Sequence, residues 1–314
     1  MKANEIYIKY NDCIVTVITN IKNDVYSYGS GFIINENGYV ITSGHNCLDS
    51  QSITVLQNNT LYKTTLIDID KRTDIAILKI KSNNIFNYLS FSDDCKTQSG
   101  NVCYILGNHA DSAQCICHIG NVKFEKYLSN EVFESVVIDV NVNKGTSGSP
   151  ILDENGFIIG MINWFMDRDC SGGVTGKYIK HVSNEIIANT FKKYHIGFQS
   201  KQLKLQDIIH HNINMAKKKV RGEIITQELE NSELKKNDII IEINGHNVGV
   251  LDSNIESIVY TLNSDKDVEV KYYKFSPENG MSWDTFEHTT HIKLIEYPEY
   301  NDHAILGKSK IKLN

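Results

Sequence analysis

Ser147 lies between two glycines and shortly before a proline, in the segment Gly-Thr-Ser-Gly-Ser-Pro of residues 145–150. Such a turn frees the serine hydroxyl and the backbone N–H groups around it. A serine hydrolase needs both, because the hydroxyl attacks a carbonyl carbon and nearby N–H donors stabilise the oxyanion that forms. Turns rich in glycine and serine are common, and most are only turns. The segment indicates a nucleophile only if residues with matching chemistry accompany it.

A histidine that could act as a base follows a predicted hairpin. Residues 32–34 are an apolar strand, residues 35–38 form a turn that ends on glycine, and residues 39–42 return as a second strand. His45 comes soon after that second strand, so a rigid element would position its ring. A lone histidine is more often a surface or core residue, and the hairpin alone does not decide between these interpretations.

Asp74 stands at the start of a strongly apolar run, Ile-Ala-Ile-Leu-Lys-Ile, which we interpret as a buried strand. Burial of a carboxylate is costly unless it is paired, and an imidazole N–H would satisfy it. An aspartate in a turn before a strand is the ordinary alternative. Asp68 and Asp70 lie nearby, and we expect both to be more exposed.

The three candidates occur in the order His45, Asp74, Ser147, on a background of short predicted strands. That order is the one used by chymotrypsin-like double barrels. The hairpin with its histidine, the strand after Asp74 and residues 139–150 together resemble the HtrA family of serine proteases. The resemblance implies a mainly β fold: a chymotrypsin-like double β-barrel protease domain followed by one PDZ (α+β) domain.

The resemblance also implies a role for each residue. Ser147 would be the nucleophile, His45 the general base and then the acid, and Asp74 the group that holds the His45 tautomer and stabilises the imidazolium. The backbone N–H groups of Gly145 and Ser147 would form the oxyanion hole. The expected reaction is therefore hydrolysis of a peptide bond.

The serine segment departs from the usual family sequence, Gly-Asn-Ser-Gly-Gly-Pro. Thr146 replaces the Asn, Ser149 replaces the second Gly, and Lys144 stands where the family often has Pro or Arg. None of these changes removes a member of the triad, so the catalytic interpretation is kept. The alternative is an inactive, peptide-binding relative.

Three residues are candidates for the substrate pocket. In chymotrypsin-like enzymes the base of the primary specificity pocket lies six residues before the serine, which here is Asn141. The wall should come from residues 171–179, with Thr175 and Lys177 as candidate lining residues. The family usually has a small apolar residue at the base and cleaves after aliphatic side chains. We therefore hypothesise a more polar pocket that accepts polar or small residues.

The composition of the 314-residue chain excludes several classes of function. Its 41% hydrophobic content suits about two domains, and a net charge of −6 provides no basic surface for nucleic acid. No apolar run is long enough for a transmembrane helix. Residues 1–9 lack the plan of a signal peptide, and the seven cysteines then predict reduced thiols. We therefore expect an intracellular, cytoplasmic location, with no membrane and no nucleic-acid partner.

Cys115, Cys117 and His118 invite a zinc interpretation. A zinc site needs about four ligands, and Cys103 or Cys170 would have to complete this one from distant positions. We favour buried cysteines on strands, and we predict neither a metal nor another cofactor.

The pattern changes near residue 190. Residues 1–190 are interpreted as the protease domain, residues 191–297 as a PDZ-like peptide-binding domain and residues 298–314 as a C-terminal tail. In the second region, residues 252–262 fit the helix that walls a PDZ peptide groove. Residues 268–273 and 289–295 fit its closing strands. A generic α+β domain is the alternative.

PDZ domains bind peptides by β-augmentation and capture the C-terminal carboxylate with backbone groups. The matching loop would contain Ile196, Gly197 and Phe198. HtrA proteases also form trimers through residues before the first barrel strand, so the resemblance implies a homotrimer. The expected partners are protein or peptide substrates and, at the PDZ-like domain, peptide C-termini.

The sequence as a whole predicts an ATP-independent serine endopeptidase that cleaves misfolded or specific protein substrates and is modulated by its PDZ domain. The alternative is a catalytically idle, protease-like scaffold that acts as a peptide-binding adaptor or chaperone. Labelling of Ser147 by a serine-directed probe would separate the two.

Overall fold

The structure is a computed structural model of the chain. It divides into two compact units, Met1–Phe191 and Lys192–Asn314. The residues that it describes are 1–22, 25–92, 97–108, 114–129, 133–166, 170–190, 194–196, 198–203, 221–227, 232–249, 254–262, 267–276, 282–284 and 286–296. The tail predicted at residues 298–314 lies outside the described residues.

The first unit opens with a short helix and a closed six-stranded barrel. Helix α1 spans Ala3–Tyr10, and a 3-10 turn at Asn11–Cys13 leads into the barrel. The barrel strands are β1 (Ile14–Lys22), β2 (Val25–Ile33), β3 (Tyr39–Ser43), β4 (Ser52–Gln57), β5 (Thr60–Asp70) and β6 (Ile75–Ile80). Neighbours in the barrel are antiparallel and follow the order β1-β2-β3-β6-β5-β4.

The hairpin that the sequence predicts is formed by β2 and β3. Phe32 pairs with Ile41 across it, and Gly38 ends the connecting turn with a φ of +78°. This left-handed backbone is readily available to glycine. His45 follows β3 within a second 3-10 turn, Gly44–Asn46. A strand of the closed barrel therefore supports the turn that carries the histidine.

Apolar side chains fill the barrel. Strand β6 is buried throughout except for the half-buried Lys79, which explains its continuous apolar sequence. The barrel core consists of Val15, Val17, Ile33, Val40, Cys47, Ile53, Val55, Ala76, Leu78, Ile80 and Phe86. This core gives a rigid base to the catalytic candidates His45, after β3, and Asp74, before β6.

A seven-stranded antiparallel sheet forms the second half of the first unit. Its strands are β7 (Val102–Asn108), β8 (Cys115–Ser129), β9 (Phe133–Ile138), β10 (Pro150–Leu152), β11 (Ile158–Met161), β12 (Trp164–Met166) and β13 (Cys170–Val174). The order across the sheet is β11-β10-β7-β8-β9-β13-β12. A bridge between Gly160 and Thr175 brings β11 against the residue after β13, so the sheet curls back on itself.

Helix α2, Gly176–Ile187, closes the first unit. Its buried residues Tyr178, Ile179, Val182 and Ile186 recur at helical spacing, which identifies the face that packs inward. The end of the predicted pocket wall at residues 171–179 therefore lies in this helix, from Gly176 onwards.

The second unit contains a sheet of short and long strands and, among its described residues, one helix, α3 (Ile255–Leu262). The strands are β14 (Tyr194–His195), β15 (Gln199–Gln202), β16 (Glu223–Gln227), β17 (Ile239–Ile243), β18 (His246–Asn247), β19 (Asp267–Tyr273), β20 (Phe275–Ser276), β21 (Ser282–Trp283), β22 (His288–Lys293) and β23 (Ile295–Glu296). The main sheet has the order β15-β16-β17-β19-β22, with β18 paired to β17. Strands β14 and β23 pair separately, as do β20 and β21.

Several elements expected in the second unit have described counterparts. The strand expected at residues 268–273 is β19, and the segment at 289–295 contains β22 and the start of β23. The helix expected at 252–262 corresponds to α3 in its described part. Within the described residues, no helix has both the length and the apolarity needed to cross a bilayer.

Candidate active site

His45 and the glycine before it are fixed by Asp74, the residue that precedes β6. The Gly44 N–H donates to the Asp74 carbonyl oxygen at 2.8 Å, and the His45 N–H donates to Asp74 Oδ1 at 2.7 Å. Gly44 has little room for a side chain, since a Cβ there would lie 3.1 Å from the same Oδ1. The histidine turn and the start of β6 are thereby joined at two points.

The Asp74 carboxylate also bonds the imidazole. His45 Nδ1 lies 2.7 Å from Asp74 Oδ2, so Nδ1 carries a proton and Nε2 is left as the acceptor in the neutral ring. Burial alone would lower the pKa of His45, but the hydrogen bond to Asp74 and its negative charge outweigh burial and raise that pKa. The arrangement prepares Nε2 to take a proton from a nucleophile.

Asn163 is a further member of this network that the sequence analysis missed. Its Nδ2 donates to both Oδ2 and the backbone carbonyl of Asp74, each at 2.8 Å. Its Oδ1 accepts the Val174 N–H at 3.3 Å. In the sequence, Asn163 stands out as a polar residue directly after the buried run Ile158–Ile162. Nothing in the sequence pairs it with Asp74, which lies 89 positions away.

Asp70 is more deeply buried than the sequence analysis expects. Its side chain is fully buried, whereas the Asp74 carboxylate retains 32% exposure. Asp70 accepts the Thr73 hydroxyl at 2.6 Å, and this bond compensates for its burial. The expectation that Asp70 is the more exposed of the two is therefore wrong.

Ser147 occupies a tight turn between two glycines with left-handed backbone. The φ angle is +95° at Gly145 and +90° at Gly148. A Cβ at Gly148 would collide with the Ser30 carbonyl oxygen, so glycine is required there. The Ser147 carbonyl accepts the Ser30 N–H and Asn46 Nδ2, both at 2.9 Å. The turn that carries Ser147 is thus bonded directly to the barrel.

Ser30 holds the start of this turn as well. Its hydroxyl donates to the Gly145 carbonyl at 2.7 Å and accepts the Asn108 N–H at 2.8 Å. One side chain of β2 therefore links the nucleophile turn to the end of β7.

The polar groups on the Ser147 turn that could act on a substrate have no hydrogen-bond partner among the described residues. Within the described part of the chain, no hydrogen bond engages the Ser147 hydroxyl or the backbone N–H groups of Gly145 and Ser147. His45 has 38% side-chain exposure, and its Nε2 does not bond Ser147 here. Bonds of this kind often tighten only when substrate is present. A hydroxyl and two N–H donors are thus available on the same turn.

The two sequence departures in the turn behave differently. Thr146 is fully buried and satisfied, because its hydroxyl and its N–H donate to the Asn143 carbonyl at 2.6 and 3.3 Å. Ser149 is also fully buried, but its Oγ has no hydrogen-bond partner among the described residues. It lies against Gly107, where a Cβ would collide with it. Lys144, the third departure, is exposed.

Asn141, the predicted pocket base, is exposed between the buried residues Val140 and Val142. The Ser171 hydroxyl donates to the Val140 carbonyl at 2.7 Å and accepts the Val142 N–H at 3.4 Å. The segment that carries Asn141 is therefore held against β13, as a pocket base next to its wall would require.

Thr175 and Lys177 lie farther along the predicted wall. Thr175 is half-buried at the start of α2, and its hydroxyl has no partner in the described part of the chain. Lys177 is exposed on the first turn of α2. No hydrogen bond within the described residues joins either side chain to Asn141.

All six described cysteines are free thiols. Cys103 and Cys170 are buried, and Cys115 and Cys117 are half-buried. Burial raises the pKa of Cys103 and of Cys115 to about 12. In the described part of the chain, no group of three or more His, Cys, Asp or Glu side chains is arranged to hold a metal ion.

The predicted peptide loop of the second unit borders a cavity. Ile196 is 2% exposed in the unit's core and Phe198 packs against that core, while Gly197 lies outside the described residues. Both described residues line a cavity of about 690 Å³. The rest of its lining is Ser232, Glu233, Thr290, His291, Ile292, Lys293, Leu294 and Ile295. These residues belong to the β22 side of the unit and do not include the expected wall helix α3.

Comparison with known families gives one domain match. The trypsin-like peptidase domain matches residues 29–161. This range contains His45, Asp74 and Ser147, together with most of the two sheets that carry them.

Curated proteins with similar sequences are DegP-like endoproteases. A probable periplasmic serine endoprotease DegP-like of Bartonella henselae is 27% identical over 232 residues, covering 71% of this chain and 46% of that protein. The corresponding protein of Chlamydia pneumoniae is 30% identical over 256 residues, covering 77% of this chain and 51% of that protein. The chain spans about half the length of these relatives.

Solved structures with a similar fold are HtrA-type proteases. The HtrA-type protease AlgW with decapeptide gives a TM-score of 0.74 at 15% identity, covering 95% of this chain and 99% of that one. The serine endoprotease from Yersinia pestis gives 0.68 at 17% identity, with coverages of 95% and 99%. At such identities the likeness concerns the fold alone, and it confirms the mainly β, chymotrypsin-like prediction. The PDZ assignment of the second unit stays a prediction.

The comparisons overturn one expectation. The relatives are named periplasmic serine endoproteases, which contradicts an intracellular, cytoplasmic location. That prediction is wrong. It rested on the residues at the start of the sequence and on unpaired cysteines. Burial keeps a thiol protonated and unreactive, so unpaired buried cysteines do not identify a compartment.

Proposed function

We propose that the chain is an HtrA-type serine endopeptidase and that Ser147, His45 and Asp74 are its catalytic triad. The trypsin-like domain match and the DegP-like relatives support the class of reaction. The residue assignment is supported by the geometry around His45.

One observation carries the assignment: Asp74 bonds both the backbone N–H and Nδ1 of His45, each at 2.7 Å. This pair of bonds fixes the ring and its tautomer, so that Nε2 is the basic nitrogen. The Asn163 amide completes the network by donating to the same carboxylate. This network distinguishes His45 from an ordinary surface histidine in a turn.

In the proposed mechanism, the Ser147 hydroxyl attacks the scissile carbonyl carbon while His45 Nε2 accepts its proton. Asp74 stabilises the imidazolium that forms. His45 then protonates the leaving amine, an acyl-enzyme remains on Ser147, and a water activated by His45 releases the second product.

The backbone N–H groups of Gly145 and Ser147 are the proposed oxyanion hole. Neither is engaged by another hydrogen bond in the described part of the chain. Fixed donors of this kind stabilise the negative charge of the tetrahedral intermediate, and the loss of one costs about 3 kcal/mol of transition-state stabilisation. The two glycines with positive φ give the turn the conformation in which these donors are free.

We assign the primary specificity pocket to Asn141 at its base and to the segment from Ser171 through Thr175 and Lys177 at its wall. The exposed amide of Asn141, held near β13 by Ser171, supports a preference for polar or small side chains. A cleavage-site profile on denatured protein tests this, and a strict preference for Val or Ile would contradict it.

For the second unit we propose a PDZ-like peptide-binding domain that modulates the protease. The division of the chain between Phe191 and Lys192 supports the assignment of residues 1–190 to the peptidase and 191–297 to this domain. Ile196 and Phe198, which line a cavity, are the proposed contacts with peptide C-termini. The substrates are misfolded or specific proteins, and the assembly is a homotrimer, which light scattering tests.

A fluorophosphonate probe tests the whole proposal. Wild type should be labelled and Ser147→Ala should not, while Ser149→Ala, two residues away, should still be labelled. Hydrolysis of denatured protein should follow the same pattern without ATP. A folded wild type that is neither labelled nor active would favour the idle scaffold instead.

A further inference from the structure

Asn46, the residue directly after His45, reaches across to the serine turn, residues 145–150. It ends the 3-10 turn that carries the histidine, and it is only 7% exposed. Its Nδ2 donates to the Ser147 carbonyl oxygen at 2.9 Å and to the Thr42 hydroxyl at 3.1 Å. One buried side chain therefore joins the turn of the proposed base to the residue proposed as the nucleophile.

The surroundings hold the Asn46 amide in place. The Asn46 carbonyl accepts the Thr19 hydroxyl at 2.7 Å, so that β1 anchors the backbone. The Thr42 hydroxyl donates to the Ser30 carbonyl at 2.6 Å, which leaves its oxygen free to accept the N–H of the amide. A Cβ at Gly29 would collide with the amide group, so the absence of a side chain there makes room for it. The amide has little freedom to turn away from the serine turn.

The serine turn is also tied to the Asp74 side of the site. The Gly148 N–H donates to the Ile162 carbonyl oxygen at 2.7 Å. Asn163 is the next residue along the chain, and its Nδ2 donates to the Asp74 carboxylate at 2.8 Å. A short path of hydrogen bonds and peptide bonds thus leads from the serine turn to the carboxylate that bonds the imidazole.

The two connections complete a circuit through the proposed triad. Asn163 joins the serine turn to Asp74 on one side. Asn46 joins the same turn to His45 on the other. His45 and Asp74 belong to the barrel, whereas Ser147 precedes β10 of the second sheet. Bonds between the two sheets are therefore needed to keep the base and the nucleophile at a constant separation, and Asn46 supplies one directly beside the base.

We propose that Asn46 is a positioning residue, which sets the separation between His45 Nε2 and the Ser147 hydroxyl. A proton passes directly between these groups only when they come within about 2.6–3.2 Å of each other. The Asn46 bond is present although no hydrogen bond joins Nε2 to Ser147 among the described residues, so it limits their separation before a substrate arrives. Asn46 acts through the Ser147 carbonyl and not on the reacting oxygen. This inference rests on the proposed function.

Kinetics of Asn46→Ala test the role. We expect kcat on a peptide substrate to fall about 10- to 100-fold with little change in KM, because a misplacement of about 1 Å can cost about 100-fold in rate. The rate of fluorophosphonate labelling should fall similarly, while the final extent of labelling stays complete. The pH at which kcat/KM is half-maximal should not move, since both bonds between Asp74 and His45 remain.

Asn46→Val separates the lost hydrogen bond from lost packing. Valine fills the space of the amide with apolar atoms but has no donor for the Ser147 carbonyl. If the bond positions the nucleophile, Asn46→Val should lose as much kcat and labelling rate as Asn46→Ala. A wild-type rate in Asn46→Val, with a loss in Asn46→Ala alone, would show that the residue only fills space and would overturn the inference.

Thr64→Val is the matched control. The Thr64 hydroxyl donates to the Ile53 carbonyl at 2.7 Å, so this variant removes a bond between two strands of the same barrel. It should lower the midpoint of denaturant unfolding and keep the wild-type kcat and labelling rate. An equal loss of labelling rate in Thr64→Val would mean that any weakening of the barrel has this effect, and it would count against Asn46 as a positioning residue.

The final extent of labelling distinguishes positioning from folding. Incomplete labelling of the Asn46 variants, with an unchanged rate for the fraction that reacts, would assign Asn46 to the fold and overturn the inference. Wild-type rates in both variants would overturn it too, and the proposed protease would stand. A folded wild type that is not labelled would instead count against the proposed protease itself.

Discussion

The two sides of the proposed site, around His45 and around Ser147, differ in which of their polar groups are hydrogen-bonded. Around His45, the groups that hold the ring in place are hydrogen-bonded: Asp74 bonds its Nδ1 and its backbone N–H, and Asn163 bonds Asp74. On the Ser147 turn, the carbonyls of Gly145 and Ser147 are engaged, while the Ser147 hydroxyl and the N–H groups of those two residues have no partner among the described residues. Fixing the base and leaving the donors free are different tasks. The first is achieved with side chains and the second with glycine backbone.

The largest effect is expected from a change on the His45 side, where Asp74 fixes the imidazole ring. We expect Asp74→Asn to lower kcat about 10⁴-fold, because the amide no longer holds the reactive tautomer of His45. Steady-state kinetics on a peptide substrate measure it. Asp68→Asn, a nearby half-buried carboxylate outside the network, is the control and should retain wild-type kcat. A loss below tenfold in Asp74→Asn would remove Asp74 from the triad.

Asn163→Ala should have the next largest effect. Loss of a hydrogen bond to a charged group costs about 1.5–3 kcal/mol, so we expect kcat/KM to fall about 10- to 100-fold. The unshielded carboxylate should also raise the pKa of His45 further. A shift of the pH profile separates this positioning role from a merely structural one, because damage to the fold would lower the rate at every pH.

The pH dependence of kcat/KM tests whether His45 is the base. His45 must be neutral to accept a proton, and Asp74 raises its pKa above the usual value of about 6.5. We expect kcat/KM to fall about tenfold per pH unit below that raised pKa and to level off above it. A flat profile from pH 5 to 8 would contradict His45 as the base.

The same shift has a consequence for stability. Because the folded-state pKa lies above the unfolded one, the contribution of the protonated His45–Asp74 pair is fully present below about pH 6.5. It is lost as the pH rises through the folded pKa. Denaturant unfolding of wild type and His45→Ala at several pH values measures this contribution, which should be absent in the variant.

The smallest effect is expected from the buried hydroxyls of the serine turn. Ser149→Ala removes a hydroxyl that has no partner among the described residues, so the free energy of unfolding should stay the same or rise by about 1 kcal/mol. Thr146→Ala removes a bonded hydroxyl and should lower it by about 1 kcal/mol. A larger loss for Ser149→Ala than for Thr146→Ala would contradict this interpretation of the turn.

The sequence predicted those residues of the candidate site that can be recognised from their immediate neighbours in the chain. A serine between glycines, a histidine after a hairpin and an aspartate before an apolar strand are each readable within a few residues. Their order along the chain then indicated the fold. The hairpin of β2 and β3 and the burial of β6 follow from the same short-range patterns.

The contacts that join distant segments were not predictable in this way. Asn163, Ser30 and Asn46 act on residues 89, 115 and 101 positions away, and their side chains are of a type common in loops. The burial of Asp70 depends on a threonine hydroxyl whose direction no pattern encodes. The start of α2 at Gly176 was missed because Gly and Thr are poor markers of a helix N-terminus when a strand directly precedes them.

The bonds from Ser30 and Asn46 to the serine turn have a consequence for synthesis. Both anchors belong to the barrel half and are translated about a hundred residues before Ser147. The turn therefore gains these bonds only where β2 and the residues after β3 are already folded. In a chain whose barrel is unfolded, the proposed nucleophile Ser147 lacks both anchors.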